Sequence, residues 1–268
     1  MYSQSSVLIV LGLFIFTLLA MEIGFQSGRR KKKRVTEAIT QANAVLVSML
    51  GLLALLLAFT FSAALQRYDD RSQTVVAEAN AIGTAYLRAQ LLPVGMQGEV
   101  QALLSQYLDV RIKGGHVDST EPELHESLLR QAKLLEAQLW SHAVRAAEQD
   151  GRVVTSGLFI QSLNELIDTS GTRNAALNRH VPEIVLFLMF ATIVLTTATL
   201  GYASGIAGHR VTLAAFVLVM LIALVAYLII DLDRPRRGAT QVSHESMLSL
   251  QQTIADSIRV GPGQPLDF

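Results

Sequence analysis

Between Asn43 and Leu92 the chain carries no proline, and within that stretch its character changes once. Residues 44–65 form an apolar run, from Ala44-Val45-Leu46-Val47 to Ser62-Ala63-Ala64-Leu65. At roughly 1.5 Å per helical residue, it is long enough for a hydrocarbon layer of roughly 30 Å. After Gln66-Arg67-Tyr68-Asp69-Asp70-Arg71 the pattern turns amphipathic, with Val75, Ala79, Ile82 and Tyr86 at helical spacing until Pro93. This predicts one continuous helix that leaves a membrane and becomes the spine of a water-facing domain.

Three more apolar runs, Val7 to Phe25, Ile184 to Tyr202 and Val211 to Ile230, accompany it. Hydrophobic residues make up 51% of the chain and charged ones 16%, and this bunching marks an integral membrane protein. The formal net charge of zero hides a segregated distribution, so nothing in it calls for a nucleic-acid partner. Absence of cysteine removes disulfides, thiolate metal sites and cysteine nucleophiles together.

The first run has no basic residue before it and is followed by Arg29, Arg30, Lys31, Lys32, Lys33 and Arg34. A secretory signal has the opposite flanks, so the run is read as a transmembrane helix, amino end outside and basic cluster in the cytoplasm. The cluster is then a topogenic anchor near anionic headgroups. Four spans in sequence place residues 66–182 outside, in a bacterial plasma (inner) membrane. Arg234, Arg236 and Arg237 in the tail oppose that assignment, and the longer uninterrupted cluster dominates.

Residues 93–180 have the composition of a soluble helical domain. Leu103, Leu104, Tyr107 and Leu108 share helical spacing, and Gly114-Gly115-His116-Val117-Asp118 is read as a turn. A helix starting near Ser119 or Thr120, with Pro122 in its first turn, carries Leu124, Leu128, Ala132, Leu135 and Leu139 to about Gln149. Another, roughly Ser156 to Arg179, carries Phe159, Leu163, Leu166 and Ile167. Such stripes bury one another as a bundle against the extension of the second apolar helix, with Trp140 in its core. Gly201 and Gly205, four residues apart, allow close helix approach.

The segment Glu78-Ala79-Asn80-Ala81-Ile82-Gly83-Thr84-Ala85-Tyr86-Leu87-Arg88, followed by Leu91-Leu92-Pro93, resembles the bestrophin-like domain family of multi-pass membrane proteins. Leu163 to Asp168, the Arg179-His180-Val181-Pro182 step and Asp231-Leu232-Asp233-Arg234-Pro235-Arg236-Arg237-Gly238 extend the resemblance over most of the chain. It implies kinship with bestrophin anion channels, and it marks Glu78, Asn80, Gly83, Tyr86, Arg88, Pro93, Pro182, Asp231, Asp233, Arg234, Pro235 and Gly238 as motif residues. The helical bulk of bestrophins is cytoplasmic, opposite to the orientation that the basic cluster implies here.

Catalytic chemistry finds little support. His125-Glu126 and His244-Glu245 each lack the second histidine of a metalloprotease motif, Ser204 and His209 have no orienting carboxylate, and Gly205-Ile206-Ala207-Gly208 precedes no lysine. Polar chemistry remains inside the membrane. Ser48, Gly51, Leu55, Ala58 and Ser62 form a stripe of mostly small residues, and Thr192, Thr196 and Thr199 a hydroxyl stripe. Both fit either the lining of a watery path or helix packing, with threonines bonding back to carbonyls one turn earlier. Outside the membrane, Arg67, Arg71, Arg88, Arg173 and Arg179 are expected to pair with Asp69, Asp70, Glu78 and Asp168.

The expected protein is all-α. A transmembrane hairpin occupies residues 1–66, with helices near 5–26 and 43–66. An extramembrane bundle occupies 67–182, a second hairpin 183–231, with helices near 183–203 and 210–231, and a polar tail 232–268. No cofactor is expected. The expected partners are the lipid bilayer, further copies of the chain and an inorganic anion. One functional class is an oligomeric, anion-selective channel with its path along the second helix. The other is a non-conducting scaffold or sensor whose helical domain binds a protein partner.

Overall fold

The structure, a computed structural model, describes residues 6–30, 36–117, 121–210, 212–234 and 240–260. Its helices are α1 (Ser6–Arg29), α2 (Thr36–Arg88), α3 (Val94–His116), α4 (Pro122–Gln149), α5 (Leu158–Leu177), α6 (Glu183–Ala207), α7 (Leu213–Leu232) and α8 (Glu245–Val260). A 3₁₀ turn, Ala89–Leu91, follows α2, and a π turn, Val153–Gly157, leads into α5. No strand occurs among the described residues. Four helices are long and apolar enough to cross a membrane: α1, α2, α6 and α7. The continuous helix expected from the sequence is α2, whose 53 residues span about 80 Å at the usual rise.

The chain divides into two compact units, residues 1–68 with 180–240 and residues 69–179 with 241–268. In the first, α1 and α6 run parallel and almost touch along their backbones. A Cβ at Gly24 would overlap the Ala198 carbonyl oxygen, and one at Gly28 the Tyr202 carbonyl oxygen. From the other side, Gly201 lies against Met21 and Gly205 against Phe25. The spacing of Gly201 and Gly205 therefore does bring helices together, and the partner is a matching glycine pair on α1. Without a hydrophobic driving force between helices in lipid, close van der Waals contact of this kind is what holds spans together. Leu53 and Leu57 of α2, Met189 and Ile193 of α6, and Ala226 and Ile229 of α7 build the adjoining apolar cluster.

At one end of this unit Pro182 precedes α6, in the position where its missing N–H costs nothing. Beside it the Val181 N–H donates to both Asp233 carboxylate oxygens, at 3.0 and 3.1 Å. The Thr240 N–H donates to Asp231 Oδ2 at 3.0 Å. Asp231, Asp233 and Arg234 are buried. Asp233 thus latches the start of α6 to the end of α7, and Asp231 holds Thr240 of the segment that follows. At the other end Gly208, with φ 79°, closes α6 in the left-handed conformation that glycine alone adopts cheaply.

The second unit is a helical bundle. Ile82, Leu104, Tyr107, Leu139, Phe159, Leu163 and Leu166 are all wholly enclosed. Full burial of such apolar side chains contributes roughly 1.5–3 kcal/mol each. Three expectations need correction. Gly114 and Gly115 are not a turn, because α3 continues through them to His116. Gly115 is instead the place where the His244 imidazole packs, and a Cβ there would overlap that ring. The residues after 231 are not simply a polar tail. They include α8, whose Met247, Leu250 and Ile254 are buried and whose Leu250 sits against Gly83. Trp140 is 40% exposed rather than in the core, since α4 buries Leu135, Leu139 and Ala143 on its inner face instead.

Candidate functional site

On α2 the residues of the small stripe share one side. Ser48, Gly51, Leu55, Ala58 and Ser62 are all exposed, while Leu46, Leu53, Leu57, Thr60 and Ala64 on the other side are buried. A Cβ built at Gly51 meets nothing within 4 Å. The exposed side of α1 carries Leu8, Leu11, Ile15, Leu19 and Ile23, which suits lipid, and α2 exposes Val47, Leu52 and Phe59 beside its stripe. The Ser48 hydroxyl donates to the Ala44 carbonyl at 3.0 Å, while Gly51 leaves room that a lipid-facing helix does not require.

The threonines of α6 separate from this face. Thr192 and Thr199 donate to the carbonyls of Leu188 and Leu195 at 2.8 and 2.9 Å, the back-bonding that satisfies a hydroxyl within its own helix. Thr199 also reaches Met49 Sδ at 3.4 Å. Thr196 is 2% exposed, in the packed interior of its unit, and its hydroxyl has no hydrogen-bond partner. Glu22 is exposed and accepts from Gln26 Nε2 at 3.0 Å. Arg29 and Arg30 are described; Lys31, Lys32, Lys33 and Arg34, like Pro235 and Gly238, lie outside the described residues.

In the second unit Glu78 is fully enclosed, with two guanidiniums on it. Arg111 Nε stands 2.5 Å from Oε1, Arg111 Nη2 donates to Oε2 at 3.1 Å, and Arg173 Nη1 donates to Oε2 at 2.7 Å. The Tyr107 hydroxyl bridges Glu78 and Glu136, at 3.2 and 3.1 Å, and the Ser170 hydroxyl donates to Glu136 at 3.0 Å. Burial pushes the Glu78 carboxyl up, yet Arg111 and Arg173 outweigh it and hold the group below its ordinary range. Burial, then the Glu78 charge, pushes the Tyr107 phenol well above its usual value. The carboxylate and phenol are thus locked in single protonation states, which favours a structural role over proton transfer. Arg111, Asn174 and Glu136 were not singled out from the sequence, and Tyr107 only as part of an apolar stripe; the signal available was Tyr107 and Arg111 on one face of α3.

Arg71, Arg88 and Arg67 donate to backbone carbonyls. Arg71, 1% exposed, donates from Nη2 to the Arg179 carbonyl at 2.5 Å and from Nε to the Ala176 carbonyl at 3.3 Å. It caps the last carbonyls of α5, where the helix dipole favours a cation. Arg88 donates to the Leu158 carbonyl at 3.0 Å, and Arg67 to the Ala63 carbonyl at 3.0 Å. Backbone carbonyls thus take the donors of these guanidiniums, and Asp69 and Asp70 are exposed. Among the remaining motif residues, Tyr86 is buried, Pro93 precedes α3 and Asn80 is exposed.

A family model for the bestrophin-like domain matches residues 11–247. The fold resembles a crystal structure of a point variant of a bacterial bestrophin homologue from Klebsiella pneumoniae, with TM-score 0.67 and 16% identity over 92% of this chain and 98% of that one. It also resembles a point variant described as a membrane protein, with TM-score 0.70 and 15% identity over 94% and 98% of the two chains. Another variant of the Klebsiella pneumoniae homologue gives TM-score 0.64 and 16% identity over 94% and 98%. No curated protein matches the sequence. With its motif blocks in buried and capping positions and the family match running almost from end to end, this chain belongs to the bestrophin-like domain family.

Proposed function

We propose that the protein is an oligomeric ion channel of the bestrophin type, anion-selective, with its path along the open side of α2. The observation that carries this reading is the stripe Ser48, Gly51, Leu55, Ala58 and Ser62, mostly small and uncovered by the chain's own helices. Family membership supports it independently. A path through a single four-helix subunit would be cramped, so several copies set their α2 faces around a common axis. The Ser62 hydroxyl then replaces part of an ion's hydration shell, Ser48 bonds back to the Ala44 carbonyl of its own helix, and Gly51 and Ala58 keep the bore wide. The α6 threonines act in packing.

Ion flux from liposomes of known subunit stoichiometry tests the proposal. Ser62→Leu and Gly51→Leu should lower flux at least tenfold by narrowing and dewetting the path while the oligomer stays folded. Thr196→Leu should act through stability. A monomer without flux, or variants with wild-type conductance, would leave the scaffold or sensor reading in its place.

A further inference from the structure

Next to the Glu78 network, α3, α4 and α5 line a partly open cavity of about 20 Å³, bordered in part by Arg111, Gly114, His125, Leu128, Arg173 and Asn174. That is room for one small occupant. The walls are unusual for a void of this size. The Arg111 and Arg173 side chains are 6% and 4% exposed, and among the described residues Glu78 is the only carboxylate within ion-pair distance of either. Arg111 and Arg173 therefore share Glu78, and Arg111 also feels the charge of Glu136. Arg173 Nε is enclosed and has no hydrogen-bond partner. Glu136 is bonded to the Tyr107 and Ser170 hydroxyls and acts on Arg111 from beyond ion-pair distance.

A buried charge without a counter-charge is costly, and the cost is visible in the neighbours. Burial, only partly offset by Glu78, lowers the Arg173 pKa. His244 is pushed down to about 4 by burial first and then by the positive charge of Arg173.

We propose that this cavity binds a single small monovalent anion of halide size. Arg173 and Arg111 supply the charge. Asn174, whose side-chain oxygen accepts from Arg111 at 3.4 Å, has its NH₂ as a further donor. The anion belongs to the fold of the second unit, as a fixed counter-ion, and the site uses none of the α2 residues assigned to conduction.

The test uses the full-length protein purified in detergent, in sodium gluconate at fixed ionic strength, with thermal unfolding followed as bromide replaces gluconate. The expected result is a saturable rise in Tm of about 2–4 °C. Gly114→Ala should abolish it, because the new methyl occupies part of the cavity. Its Cβ would meet only Leu128 Cβ at 4.0 Å, so the variant should fold. Crystals grown with bromide should give an anomalous peak within hydrogen-bonding reach of Arg173. A rise that does not saturate, an equal rise in Gly114→Ala, or a water in the cavity without anomalous signal would overturn the proposal. Flux through the channel is not a readout here, so failure of this site leaves the conduction proposal standing, and the reverse.

Discussion

Glu78 shows how one side chain decides the energetics of a whole bundle. It is enclosed, ionised and shared by Arg111 and Arg173. Glu78→Gln keeps the shape and removes the charge, leaving both guanidiniums without a counter-ion. The expected loss is roughly 3–5 kcal/mol, read as a fall in unfolding midpoint in detergent, whereas Asn80→Gln on the exposed side should change little. His244 gives a pH dependence with a definite sign. Its folded pKa of about 4 lies below the ordinary 6.5, owing to burial, Arg173 and His116, against a weaker opposing pull from Glu78. Between those values the unfolded chain takes up a proton that the folded one refuses. The stability associated with neutral His244 is complete above about pH 6.5 and falls as the pH drops towards 4. After discounting for solvent screening the effect is on the order of 1–2 kcal/mol. The difference between wild type and His244→Gln across that window measures it.

At the scale of elements, the α1–α6 contact is the most demanding. A methyl at Gly201 would strike the Met21 carbonyl oxygen, and backbone cannot move aside as a flexible side chain can. Gly201→Ala should destabilise by roughly 1–3 kcal/mol despite the better helix propensity of alanine. Gly51→Ala, which meets nothing within 4 Å, should be neutral or slightly stabilising in the same thermal assay. Elements with a strong period or a hard stop were legible in the sequence: α2 between its basic start and Pro93, α4 from Pro122, and the four apolar spans. Those governed by partners far along the chain were not. The helix through Gly114 and Gly115 looks like a turn until His244, more than a hundred residues later, is seen to fill the space that the missing side chains leave. In α8, Met247, Leu250 and Ile254 form a narrow stripe among polar neighbours, and only its packing on the second unit makes it a stable helix.

For the whole molecule, the basic run at residues 29–34 is the strongest statement about orientation. It favours the second unit outside the cytoplasm. A reporter fused at Gly115 should behave as external and one at Gly28 as cytoplasmic; the reverse pair of results would reject that placement and align the protein with the cytoplasmic bulk of bestrophins. Of the candidate site, the α2 stripe could be read from residue size at helical spacing. The arrangement around Glu78 could not, because α2, α3 and α5 bring Glu78, Arg111 and Arg173 together across 95 residues of chain, and no local pattern records such a meeting.

The paired glycines of α1 and α6 also set a timetable for synthesis. Met21 and Gly201 are 180 positions apart, from 201 − 21, so α1 leaves the ribosome long before its partner exists. At roughly 5–20 residues per second the delay is about 9–36 s. Throughout that interval the groove at Gly24 and Gly28 faces lipid or whatever escorts the nascent chain, ready for any other small-residue helix that passes. Premature termination upstream of α6 therefore releases a fragment already equipped to capture the wrong partner.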